Sequence, residues 1–154
     1  MGQIDAKLQQ LGITLPEPAA PVANYVGYVI TGNLVFVSGQ VPFKNGKLDY
    51  IGKVGRELTL EQGAEAARWC AINILAQVKA ACGGNLDRVK RCVKLGGFVN
   101  AVPEFTDHPK VINGASDLMV EVLGDKGRHA RFALGAGSLP ANTAVEIDAV
   151  FEIA

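Results

Sequence analysis

The sequence predicts an α+β domain in which two helices pack on one face of a single β-sheet. Three observations predict it. Segments with a two-residue apolar period and segments with a three-to-four-residue period follow one another in the order β-β-α-β-α-β-β. Glycine, proline or asparagine punctuates nearly every junction between them. The 154 residues suffice for one domain with one substantial core.

The elements read as follows. Residues 3 to 11 suit a short, peripheral amphipathic helix through Ile4, Leu8 and Leu11, closed by Gly12. Three prolines between Leu15 and Pro21 predict an extended connector, because proline lacks the amide donor that helix and sheet use. Residues 1–21 are thus an N-terminal helix and connector, and residues 22–154 a single domain. Tyr25–Ile30 and Leu34–Val37 flank Thr31-Gly32-Asn33 as a hairpin, with Ser38-Gly39-Gln40 ending the second strand. A glycine-punctuated loop with a short strand at Lys47–Tyr50 follows.

Thr59 opens the longest helix, with Gln62 three residues on to complete a capping box. Its apolar side runs through Leu60, Ala64, Ala67, Ala71, Ile74, Leu75, Val78 and Cys82 to Gly83-Gly84. Val89–Val99 predicts a strand with Val89, Val93 and Leu95 on one face; Gly96-Gly97 marks a bulge or a close backbone approach. A second helix spans Pro109 to Leu123 through Val111, Ala115, Leu118 and Val122. Two last strands surround Leu139-Pro140 and Asn142. The first sets His129, Arg131 and Ala133 against Phe132 and Leu134, which places Arg131 away from the apolar side. In the second, Val145, Ile147, Ala149, Phe151 and Ile153 oppose Glu146, Asp148 and Glu152.

Composition narrows the function. Apolar residues make up 49% and charged residues only 19%, a surplus of apolar surface most simply buried between copies of the chain, so a homo-oligomer is expected. Fifteen basic residues balance fifteen acidic ones, leaving no net field to gather nucleic acid. The three cysteines, Cys70, Cys82 and Cys92, are odd in number, include no CxxC and suit core packing in a reducing compartment, with partial exposure the alternative for Cys92, which alternates with Lys90 and Lys94. The first residues lack the order of a signal peptide, and no apolar run approaches the roughly 18 residues of a membrane span. A cytoplasmic protein is expected. Two histidines without HExxH predict no metal site, and the absence of GxSxG, GxxxxGK[ST] and a strand-borne GxGxxG predicts neither a serine-hydrolase elbow nor a nucleotide cofactor.

What remains is Arg131 followed by Glu146. A guanidinium grips a carboxylate through two parallel hydrogen bonds, and a glutamate can orient or deprotonate water. Together they could hydrolyse a small carboxylic acid. On spacing alone, an ordinary salt bridge between exposed strand residues is the simpler account. His129, on the face of Arg131, is a further candidate for the edge of such a site, against a purely structural role.

Two segments carry more. NYVGYVITGNLVFVSGQVP, residues 24–42, resembles the N-terminal hairpin of the RidA/YjgF reactive intermediate deaminase family, and ARFALGAGSLPANTAVEIDAV, residues 130–150, resembles its C-terminal signature of arginine, Leu-Pro and VEIE. The likeness covers about residues 22 to 154. It implies a chorismate-mutase-like fold, a homotrimer with sites between subunits, no cofactor, and hydrolysis of 2-imino or 2-enamino acids to 2-oxo acids and ammonia. By position, Arg131 matches the arginine that binds the substrate carboxylate and Glu146 the glutamate that positions water. Tyr25, Ser38, Gly39 and Asn113 match residues lining the same pocket. Ala133, where many members have cysteine, and Asn24, where a proline often stands, depart from the pattern and imply a divergent branch. A non-catalytic small-carboxylate-binding protein is the alternative, and ribonuclease activity, a label attached to relatives, fits the neutral charge poorly.

Overall fold

A computed structural model describes residues 2–154. Ten elements form. They are α1 (Gln3–Gln10), β1 (Tyr28–Thr31), β2 (Leu34–Gln40), β3 (Phe43–Lys44), β4 (Lys47–Leu48), α2 (Leu60–Ala81), β5 (Val89–Asn100), α3 (His108–Leu123), β6 (Ala130–Ala136) and β7 (Val145–Ile153). The five-stranded sheet runs β1-β2-β7-β5-β6, antiparallel except for the β5–β6 pair. A parallel pair needs a crossover, and α3 supplies it. The β3–β4 hairpin stands apart from the sheet.

Helices α2 and α3 pack against each other and on one face of the sheet, as the element order predicts. The capping box closes on schedule: the Thr59 side chain accepts from the Gln62 amide at 3.1 Å and the Gln62 side chain accepts from the Thr59 amide at 2.9 Å. Small residues let the helices approach. A Cβ at Gly114 would run into the backbone carbonyl of Ala64. Gly97 similarly lies under Ile112 with its strand register unbroken, so the Gly96-Gly97 pair marks a close approach rather than a bulge.

Four expectations change. Helix α1 is anchored as well as peripheral: Leu8 is buried, and the amides of Gln3 and Ile4 donate to the Asp87 carboxylate at 2.9 and 3.0 Å. Those two bonds hold the Asp87 carboxyl below the ordinary range. Register shifts between Val89 and Arg91 and between Cys92 and Lys94 break the alternation of β5, turning Cys92 fully inward and Val93 out to solvent. Burial pushes the Cys92 thiol up to about 12. Third, β1 begins at Tyr28 rather than Tyr25, and the short strand of the following loop stops at Leu48.

The fourth concerns β6. Arg131 pairs with Leu95, which is fully buried under the helices, whereas Phe132 and Leu134 pair with Gly96 and Phe98 on the opposite face. His129, Arg131 and Ala133 therefore lie on the helix side. The helix-free face is the unexpectedly apolar one, exposing Phe36, Val93, Phe98 and Leu134. No helix among the described residues is long and apolar enough to cross a membrane.

The α2–α3 contact gives a direct test. Gly114→Ala must push Ala64 away through its backbone, and overpacking of this kind costs about 1–3 kcal/mol. The midpoint of urea unfolding should fall accordingly with an unchanged slope; a midpoint equal to that of the native chain would show that the helices are not in this contact.

Candidate functional site

The two principal candidates stand on opposite faces of the sheet. Residue partners across β6, β5 and β7 share a face, and Glu146 pairs with Phe98, which pairs with Leu134; Arg131 pairs with Leu95, which pairs with Ala149. The expected Arg131–Glu146 salt bridge does not form, because the sheet itself separates them. Neither residue has an ion-pair partner among the described residues.

Glu146 belongs to a cavity of about 360 Å³ that Tyr25, Ser38, Gly39, Pro140 and Ala141 also line. The register of β2 against β7 slips by one residue between Val37 and Gln40, so Ser38 and Gly39 form a bulge beside Glu146. The Ser38 amide and hydroxyl donate to the Gly27 and Val26 carbonyls at 2.9 and 2.6 Å, which ties the chain after Tyr25 to the bulge. Gly39 is needed for space: a Cβ there would overlap the Glu146 carboxylate. Below, Asn100 is fully buried and its Nδ2 donates to the Asn142 side chain at 3.0 Å and the Thr143 carbonyl at 3.1 Å. That braces the turn in which Ala141 and Asn142 adopt the left-handed region, at φ 55° and 56°, with Ala141 on the cavity wall. Residues 19–22 of the connector close the remaining side, a role the sequence did not suggest.

Glu146 is half-buried. Desolvation first, and the negative charge of Asp148 second, raise its carboxyl above the ordinary value. A carboxylate so tuned accepts a proton more readily than an exposed one.

Arg131 has a different setting. Its guanidinium donates to the Ser116 hydroxyl at 2.9 Å and to the Pro109 carbonyl at 3.4 Å, both on α3. Neutral oxygens position it without cancelling its charge. Asn113 is exposed, and its place four residues after Pro109 and three before Ser116 sets it on the same side of α3. The six candidates thus fall into two groups, Tyr25, Ser38, Gly39 and Glu146 in one, Arg131 and Asn113 in the other. His129 joins the second group, 2.9 Å from Ser116, a residue that carried no sequence signal. Among the described residues, no three His, Cys, Asp or Glu side chains cluster as metal ligands.

The raised carboxyl of Glu146 makes a stability prediction. The folded state holds this proton more tightly than the unfolded chain, so the stabilisation from protonation is complete below the ordinary carboxyl value and lost as pH rises through the raised one. Glu146→Gln should therefore melt above the native protein near pH 7, with the difference closing by about pH 4. A variant that melts lower than the native chain at neutral pH would contradict a desolvated carboxylate.

Comparison with known proteins agrees with this architecture. Residues 5–152 match the family model described as "YjgF/chorismate mutase-like, putative endoribonuclease". Protein TCP17 of Trypanosoma cruzi is 50% identical over 153 residues, covering 99% of this chain and 95% of its own. The crystal structure of Atu1372 from Agrobacterium tumefaciens, titled as a protein of unknown function, is 52% identical with a TM-score of 0.93 over 98% of this chain and 92% of its own. The YjgF gene product of E. coli is 25% identical with a TM-score of 0.63 over 90% of this chain and 94% of its own. With the model match spanning nearly the whole chain, the protein belongs to the YjgF/chorismate-mutase-like family.

Proposed function

We propose that the chain is a cofactor-independent deaminase of 2-imino and 2-enamino acids, with each site assembled from the Glu146 group of one copy and the Arg131 group of the next. One observation carries the reading. An unneutralised guanidinium and an unpaired, half-buried carboxylate lie on opposite faces of one sheet, too separated to serve one substrate within a protomer but suited to a cleft between copies. The exposed apolar residues on the face of Glu146, Phe98 paired with it and Phe36 farther along the sheet, support association through that face, and a closed homotrimer would repeat the cleft three times.

The chemistry needs little more. A 2-aminoacrylate-like enamine tautomerises to its imine, and Arg131 holds the carboxylate through parallel hydrogen bonds. Water adds to the imine carbon as Glu146 removes its proton. The proton passes to nitrogen, the carbinolamine collapses, and a 2-oxo acid and ammonia leave. Because imines already hydrolyse in water, orientation and proton transfer are the contributions required. Zero net charge and the absence of a basic stripe favour this over ribonuclease activity.

The test follows ammonia and 2-oxo acid release from enzymatically generated imino acids. Arg131→Ala should lower kcat/KM by on the order of 10²–10³-fold, and Glu146→Gln by about 10²–10⁴-fold. Co-expressing the two variants should restore activity. In a closed ring assembled at random from equal amounts, about one interface in four pairs an intact Arg131 with an intact Glu146, so about a quarter of native activity should return. No recovery would rule out sites shared between copies. Saturable 2-oxo acid binding without turnover by the native protein would replace the deaminase with a carboxylate-binding protein.

A further inference from the structure

The hydrogen atoms around Arg131 can be assigned from what each oxygen and nitrogen is able to do. The Gly127 carbonyl lies 2.6 Å from His129 Nδ1, and a carbonyl only accepts, so Nδ1 carries the proton. In the neutral ring Nε2 is then an acceptor, and it stands 2.9 Å from the Ser116 hydroxyl, which must donate to it. With its proton committed to His129, Ser116 Oγ has its lone pairs left for Arg131, whose Nη1 donates at 2.9 Å. With a neutral imidazole, every bond in the chain has one direction.

The far end is fixed by packing. Gly127 is buried, and a Cβ there would strike the Met119 carbonyl of α3, so the carbonyl that orients His129 is pinned by a close approach only glycine permits. Ser116 and His129 are both partly buried, which keeps bulk water from replacing these bonds readily. The near end is a cation with donors to spare: Arg131 has five N–H groups, and among the described residues two find acceptors and no carboxylate pairs with it.

We propose that Ser116 and His129 are positioning residues for Arg131, a directed chain from the Gly127 carbonyl through imidazole and hydroxyl that fixes where the guanidinium presents its free donors to a carboxylate. This rests on the reading of Arg131 as a carboxylate clamp. It adds what that reading lacks, a reason for one orientation of a long side chain that would otherwise sample many rotamers before binding. Neutral oxygens suit the task better than an acid would, since a resident carboxylate would compete with the incoming one.

The experiment has two arms. Imidazole ¹⁵N spectra of the native protein should show His129 with Nδ1 protonated and Nε2 bare; the opposite tautomer would overturn the proposal. Binding of pyruvate, as the simplest 2-oxo carboxylate, should weaken on the order of tenfold in Ser116→Ala and in His129→Ala at a temperature where each variant is fully folded. Ser116→Thr and His129→Gln, which keep a hydroxyl and an ε-position acceptor, should restore it; His129→Asn, which keeps only the bond to Gly127, should not. In an Arg131→Ala background, Ser116→Ala should have no further effect, because its role is exerted through the guanidinium. Native-like binding by Ser116→Ala would defeat the positioning chain while leaving the clamp intact. No pyruvate binding by the native protein would instead defeat the clamp itself, and with it the purpose assigned to the chain.

Discussion

Everything in the site follows from the two-sidedness of one sheet. β7 lies between β2 and β5, and its period-two alternation commits Val145, Ile147, Ala149, Phe151 and Ile153 to the core beneath the helices. Glu146 has no choice but to project from the other face. A one-residue slip would exchange the two sets and bury three carboxylates, so the hydrophobic effect that makes the core also fixes the carboxylate's direction. β6, at the parallel edge, obeys the same rule with the opposite result, and Arg131 turns toward α3.

Around that constraint the local devices are small. The bulge at Ser38-Gly39 adds one residue to β2 just where Glu146 emerges, and the missing side chain at Gly39 leaves room for the carboxylate. The Asn100 amide braces the turn at Ala141-Asn142 from below. Residues 19–22 then wall the cavity from a connector that reaches this position because α1 is moored to Asp87 and the Gln77 side chain donates to the Ala19 carbonyl at 3.2 Å. The cavity is thus assembled from four separate stretches of chain held by hydrogen bonds of the Asp87, Gln77 and Asn100 side chains, which favours a preformed shape over one moulded by ligand.

The sequence made much of this legible, and its failures have physical causes. Helix α2 was plain because a capping box and a long apolar stripe agree. In β6 the periodicity grouped His129, Arg131 and Ala133 correctly, but periodicity defines two sets without saying which faces the helices. The apolar set, Phe132 and Leu134, looks like the core set and instead lies on a helix-free face that is itself apolar. In β5 two register shifts reset the alternation, so Val93, expected on the face of Val89 and Leu95, turns out to solvent while Cys92 packs in the core as the other cysteines do. Asp87 as the anchor of α1 and Ser116 as the partner of Arg131 rest on contacts 84 and 15 residues apart, which no local pattern announces.

The apolar open face links association to chemistry. Glu146 emerges beside Phe98, with Leu134 one strand beyond and Phe36 farther along the same face, so a copy of the chain that covers the Phe98 end of this face also removes water from the carboxylate. Burial is already the main reason its carboxyl is raised, and further burial acts in the same direction. The price in carboxylate desolvation is offset by apolar area buried around it, at about 25 cal/mol per Å². A guanidinium arriving from a neighbouring copy would act the other way, favouring the ionised form. The basicity of Glu146 in an assembled site is therefore set by the balance between a dry apolar rim and a nearby cation. In the proposed deaminase, a substrate carboxylate bound between them would neutralise that cation and tip the balance back toward a stronger base when water is activated.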